Sequence, residues 1–162
     1  MKSAAHNFKD SGATELFTTF HIGNDFFGIE VMKVQEVTNT PTIIPVPLAP
    51  KFVRGLINLR GQLATALGLR ELFGGDLSDI KNQMSVVCRM DGNLVSLMVD
   101  SIGDVVEADG RSFEPPPDTL PLGLRSFVKG IYKMNGKLLS VLDLEKISKE
   151  LSPTAESNDS RS

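Results

Sequence analysis

The sequence predicts an all-β molecule made of two similar small β-barrels packed together, each with a short helical turn. Three observations lead there. The stretch Val53 to Phe73 (VRGLINLRGQLATALGLRELF) recurs at Val128 to Ile147 (VKGIYKMNGKLLSVLDLEKI) with a constant offset of 75 residues, and self-similarity at a fixed offset sets the architecture of a chain. Each copy follows two runs rich in β-branched and aromatic residues and a proline-rich connection. The runs are short, evenly spaced and separated by Gly and Pro turns, a pattern of small antiparallel barrels.

Bulk properties agree. The 162 residues suit one ordinary domain or two small ones, and the repeat favours two similar halves. Hydrophobic residues make up 41% and charged residues 23%, as expected for a globular protein and not for a disordered one. A net charge of −3 gives no general attraction to nucleic acid. The single cysteine, Cys88, rules out an intramolecular disulfide and a Cys-rich zinc site. The start, MKSAAHNFKDSGAT, has no apolar core, so no signal peptide is expected. No apolar run reaches the ~18–20 residues of a membrane helix. A cytoplasmic location is the simplest expectation.

The first half unfolds element by element. Residues 1–14 are small and polar and are expected to be flexible. Leu16 to Ile22 reads as a strand, and Gly23-Asn24-Asp25 as a turn. Phe26 to Val37 reads as one long strand, with Phe27, Ile29 and Val31 on one face. Val34 falls out of that phase, which predicts a bulge or bend near Met32-Lys33. Asn39 to Pro50 holds four prolines and predicts an extended surface connection, with a short edge strand at Ile43-Ile44. Phe52 to Arg60 and Gln62 to Leu67 form a hairpin about Arg60-Gly61. Leu69 to Phe73 is too short for an independent helix and must dock on the rest.

Gly74 to Asp79 marks the midpoint. Met84 to Met90 then matches the first strand in type, and Leu94 to Val105 aligns with Phe26 to Val37 at an offset of 68. Pro115-Pro116-Pro117 and Pro121 match the first proline segment, and Asn135-Gly136 is a strong type I′ hairpin signal. Asp143 is placed to cap the second helix through its carboxylate; Gly68, its counterpart, caps without a side chain, and Glu71 is in reach of the Gly68 amide. On that footing Gly68→Asp is expected to be neutral or mildly stabilising. The expected organisation is a flexible N-terminus (1–14), a first barrel half (15–80), a second barrel half (81–150) and a disordered polar tail (151–162).

No constellation for catalysis, metal or cofactor stands out. His6 and His21 lack metal-ligand neighbours, and Cys88 reads as a small core residue without a base beside it. Gly130 to Leu138 faintly resembles a phosphate-binding loop. Its glycine spacing is wrong, Leu138 stands where Ser or Thr would hold magnesium, and its context is a hairpin. Asp100 and Asp104, four apart in a predicted strand, read as solvated acids on one face. Lys51, Arg54, Arg60 and Arg70 make the first repeat basic. A small barrel binding single-stranded nucleic acid is the alternative reading of that patch, but only Phe52 and Phe73 are available for base stacking.

At Phe27-Gly28-Ile29-Glu30-Val31, Val34-Gln35-Glu36-Val37 and above all Gly55-Leu56-Ile57-Asn58-Leu59-Arg60-Gly61, the chain resembles the CheW family of bacterial chemotaxis coupling proteins. The resemblance runs from about Leu16 to Leu151. It implies two five-stranded SH3-like barrels, no catalysis and no cofactor. It implies a scaffold that joins chemoreceptor cytoplasmic tips to a CheA-type histidine kinase through that kinase's own CheW-like domain. The protein would then be cytoplasmic and recruited to membrane-associated receptor arrays. Carried over by motif, Val34, Glu36, Val37, Gly55, Asn58, Arg60 and Gly61 would form the partner-binding surface. Relatives usually carry Pro and Asp near Thr65 and Gly68, and this chain departs from them there.

Overall fold

The computed structural model describes residues 13–75 and 83–151. Most of the predicted N-terminal arm, most of the polar tail and Asp76–Asp79 of the midpoint lie outside the described residues. Among the described residues ten strands form two five-stranded sheets. Strands β1 (Thr14–Ile22), β2 (Asp25–Glu30), β8 (Ser101–Asp109), β9 (Val128–Met134) and β10 (Lys137–Leu142) make one, in the order β8-β1-β2-β10-β9. Strands β3 (Val34–Asn39), β4 (Val53–Leu59), β5 (Gln62–Gly68), β6 (Met84–Met90) and β7 (Asn93–Val99) make the other, in the order β3-β6-β7-β5-β4. The described residues also form three short helices: α1 (Leu69–Leu72), α2 (Leu122–Arg125) and α3 (Leu144–Leu151).

The 75-residue offset holds in the fold. β4 and β9 have the same bounds at that offset, the hairpin turns match, and α1 and α3 begin at equivalent residues. Yet neither sheet is built from one sequence half. The first takes two strands from before the midpoint and three from after it; the second takes three and two. The division 15–80 and 81–150 therefore describes the repeat in sequence, not membership of the sheets.

The crossovers that cause this are where two long strands were expected. Phe26 to Val37 is broken by a 3-10 turn at Val31–Lys33, so that β2 stays in one sheet and β3 enters the other. The slip in apolar phase at Val34 marks that change of sheet: the bend expected near Met32-Lys33 is the 3-10 turn, and the β3–β6 register shifts just after it, between Val34 and Glu36. Leu94 to Val105 divides in the same way at Asp100, between β7 and β8.

Both sheets curl towards barrels. Their edge strands share no continuous ladder, but the proline connections reach across. Ile44, five residues after β3 ends, pairs with Leu56 on the free edge of β4 through backbone bonds of 2.8 Å in each direction. Glu114 does the same with Ile131 on β9, at 3.0 and 2.8 Å. Side chains alternate accordingly. Ile57, Leu59, Ala64, Ala66, Val87, Leu94 and Met98 fill the inside of one curled sheet. Phe17, Ala108, Tyr132, Leu139 and Val141 fill the other. The largest cluster, including Phe20, Phe27, Ile29, Leu67, Val86, Cys88, Leu97, Phe127, Leu142 and Ile147, draws on both sheets and joins them into one body. Burial of this apolar surface is the main force holding the sheets together.

Candidate functional site

The hairpin β4–β5 turns in two residues. Arg60 (φ 52°) and Gly61 (φ 91°) both lie in the left-handed region, the geometry of a type I′ turn that matches strand twist. Asp91-Gly92 and Asn135-Gly136 repeat it. Asn58 contributes to the turn, its side-chain oxygen accepting the Gly61 amide at 2.7 Å. At the tip, Arg60 leaves its side chain 76% exposed, as the turn position requires.

That guanidinium is not free in the isolated chain. It pairs with Glu36 of β3, whose side chain is 21% exposed. β3 and β4 are opposite edges of the ladder order, so the pair spans the gap that the curl of the sheet narrows. Nothing in the spacing of residues 36 and 60 signals this contact. It follows only from the curvature of the sheet. A pair this exposed contributes at most about 1 kcal/mol to stability, and an Arg held at a rim offers its planar fork to a carboxylate outside.

Gly55 sits beneath the first proline connection. Its φ of 147° is a conformation other residues rarely adopt, and a Cβ there would strike the Ile44 carbonyl and the Ile43 side chain. Gly130 is its counterpart, packed under the Phe113 ring and the Glu114 carbonyl. The basic-Gly pair at the head of each repeat is thus explained by the strand that crosses over it.

The remaining predicted residues divide. Val37 is exposed beside Glu36, whereas Val34 is half-buried and packs against the central core. Glu36, Asn58, Arg60 and Gly61 are drawn together by the Arg60–Glu36 pair and the Asn58–Gly61 bond, Val37 follows Glu36 on β3, and Gly55 is buried on β4. On the connection from β3 to β4 the apolar side chains of Ile44, Val46 and Leu48 are exposed, and Leu48 holds a left-handed φ of 63°.

Two sequence expectations need correction. Asp100 and Asp104 do not share a strand, and Asp100 is no solvated acid. It lies at the β7–β8 crossover and accepts from the Gly23 amide at 2.6 Å and Gln83 Nε2 at 3.2 Å, while pairing with Arg70. The Gly68 amide donates to the Phe52 carbonyl at 2.7 Å and not to Glu71. The Glu71 carboxylate instead pairs with Arg54.

Cys88 is fully buried, and burial pushes its thiol up to about 12, which keeps it neutral at physiological pH. His21 stacks on Phe26 with ring centroids 5.0 Å apart. Among the described residues no group of three or more His, Cys, Asp or Glu is placed to hold a metal ion. Phe52 and Phe73 pack against the central core, Phe73 within ring distance of Phe27 and Phe127. The nucleic-acid reading thereby loses the stacking faces it required.

A paired-sheet fold with these turns and crossovers invites comparison with known proteins. The family model of the CheW-like domain matches residues 16–152. The chain belongs to the CheW-like domain family. The chemotaxis protein CheW of Rhizobium meliloti is 27% identical over 148 residues, covering 91% of this chain and 94% of that protein. CheW of Thermotoga maritima is 28% identical over 133 residues, covering 82% and 87%. The crystal structure of the scaffolding protein TtCheW from Thermoanaerobacter tengcongensis matches with a TM-score of 0.74 at 27% identity, covering 80% of this chain and 84% of that one. In fold and family the chain is thus CheW-like. Among its described residues no helix is long and apolar enough to cross a membrane.

Proposed function

We propose that this chain is a non-catalytic adaptor that couples chemoreceptor cytoplasmic tips to a CheA-type histidine kinase, acting in the cytoplasm at membrane-associated receptor arrays. The partner-binding surface is formed by Glu36, Val37, Asn58, Arg60 and Gly61, with the rim of Val34, and Gly55 sets its backbone from below. The observation that carries this reading is the Arg60–Glu36 pair. It joins residues from the two edge strands of one sheet. Exposed charge next to exposed Val37 suits a protein partner with an acidic, partly apolar helix. Family membership and the likeness to a scaffolding protein support the same conclusion.

The test is titration calorimetry against a receptor-tip fragment and against the regulatory domain of the kinase. Arg60→Glu loses the pair with Glu36 and sets two acids side by side. The melt is expected to move by no more than about 1 kcal/mol, since both groups stay hydrated. Receptor affinity is expected to fall by about 2 kcal/mol, roughly thirty-fold, if a partner carboxylate faces residue 60. The double exchange Glu36→Arg with Arg60→Glu restores the internal pair but not the affinity. Unchanged receptor binding by a folded Arg60→Glu protein would remove residue 60 from the interface.

A further inference from the structure

The two halves differ at one point where their backbones agree. Gly68 and Asp143 are equivalent at the offset of 75. Each precedes a helix, and each donates its amide to an equivalent carbonyl, Gly68 to Phe52 at 2.7 Å and Asp143 to Phe127 at 2.8 Å. In the second half the Asp143 carboxylate accepts the amides of Glu145 and Lys146, at 3.1 and 3.2 Å. In the first half there is no side-chain cap at all.

Glycine is not required at 68 by its backbone. Its φ of −83° and ψ of 109° are ordinary extended values that any residue adopts. What excludes a side chain is the Glu71 carboxylate, because a Cβ built on Gly68 would fall on its carboxylate carbon and both of its oxygens. The carboxylate that residue 68 lacks has therefore been replaced, in the same space, by one from three residues further on.

Its partner is also matched across the repeat. Arg54 is the counterpart of Lys129. Arg54 grips Glu71 with two nitrogens, Nε on one oxygen and Nη2 on the other at 3.0 Å, and the pair is deep, with side-chain exposures of 18% and 1%. Lys129 in the second half is held by Glu30 at 3.0 Å. Burial works against its charge, but Glu30 and then Asp143 outweigh it and keep its pKa above the usual lysine value.

We infer that Glu71 is a positioning residue: a relocated carboxylate that fills the side-chain space at Gly68, anchors Arg54, and thereby holds the start of β4 and Gly55 under the Ile44 bridge. Arg54 is the residue before Gly55, so the anchor acts on the backbone that supports the proposed partner surface. That last link rests on the adaptor reading; the carboxylate exchange does not.

The experiment uses the full chain with three variants: Glu71→Ala, Gly68→Asp, and both together. Glu71→Ala strands a buried guanidinium, and its urea midpoint is expected to fall by about 1 M or more. Gly68→Asp alone forces a second carboxylate into the space Glu71 occupies, so the neutral or mildly stabilising effect expected from the cap pattern gives way to a lower midpoint. The double variant places the carboxylate on residue 68, as in the second half, and is expected to recover most of the loss. Nitrogen-edited NMR gives a local reading. The Arg54 Nε–H signal should be shifted downfield and protected in the wild type and the double variant, and exchange-broadened in Glu71→Ala. Losses that merely add in the double variant, or a Glu71→Gln protein with wild-type midpoint and Arg54 signal, would overturn the assignment. Receptor-fragment affinity is measured in parallel and should follow the Arg54 signal. If the exchange rescues the fold and the signal but affinity never responds, the positioning link fails while the relocated carboxylate stands.

Discussion

Glu15 shows how one residue takes its chemistry from neighbours distant in the chain. It lies in β1, half-buried, facing a region that also holds Glu30 and Lys129. Burial, and next repulsion from Glu30, hold its carboxyl above the usual carboxylate range. The folded state therefore binds this proton more tightly than the unfolded chain does. The cost of ionised Glu15 is absent well below the ordinary carboxylate pKa and sets in as the pH rises through it towards the raised folded value. Glu15→Gln is accordingly expected to raise the urea midpoint at pH 7 and to leave it nearly unchanged at about pH 3, a pH below the ordinary glutamate value. An equal gain at both pH values, or a loss at pH 7, would show that ionisation of Glu15 is not the cause. Glu15 and Glu30 stand on adjacent strands whose register pairs Phe17 with Glu30, a proximity that strand alternation alone does not reveal.

At the scale of elements, the connection from β3 to β4 matters more than its lack of regular structure suggests. Its prolines limit it to one bridge, Ile44 with Leu56, and that bridge narrows the gap between the edges. Gly55 makes the approach possible by having no side chain. Gly55→Ala is expected to cost about 3 kcal/mol or more, since it combines a forbidden φ with a collision against backbone. Gly61→Ala is the control. Gly61 also has a positive φ, but no atom lies within 4 Å of where its Cβ would be, so a cost of only about 1 kcal/mol is expected. Urea denaturation of both proteins measures the difference. Equal costs would mean that torsional strain, and not the crossing strand, explains Gly55.

The whole molecule is more interdependent than its sequence repeat implies. Each sheet needs strands from both sides of the midpoint, and the central cluster takes residues from both sheets. α3 follows a strand of one sheet and ties to the other, with Ser148 donating to Asp91 at 2.6 Å in the β6–β7 turn. Neither half can bury its share of the core alone. Fragments 1–80 and 81–162, made separately, are each expected to give poorly dispersed amide spectra and to regain native dispersion when mixed. Native-like dispersion from fragment 1–80 by itself would contradict the exchange of strands. The same interdependence predicts one cooperative melt for the intact chain, since a shared core leaves no separable domain.

The sequence by itself determined what depends on local periodicity and on repetition. The strand class of each run, the two-residue turns at Arg60-Gly61 and Asn135-Gly136, the Asp143 cap, the 75-residue correspondence and the CheW-like motif are all carried by residues near one another in the chain. Arg60 could be placed at an exposed tip from its turn alone. Tertiary structure alone decided which sheet each strand joined, because a strand's apolar alternation is the same whichever partner it faces. The change of sheet at Val31–Lys33 left only a slip in phase, open to reading as a bulge or bend within one strand. It also decided the Arg60–Glu36 pair, the Asp100 junction with Gly23, Gln83 and Arg70, and the exclusion of a side chain from Gly68 by Glu71. Each of these joins groups whose separation in space is set by sheet curvature or by a crossing element, and spacing along the chain does not encode that distance.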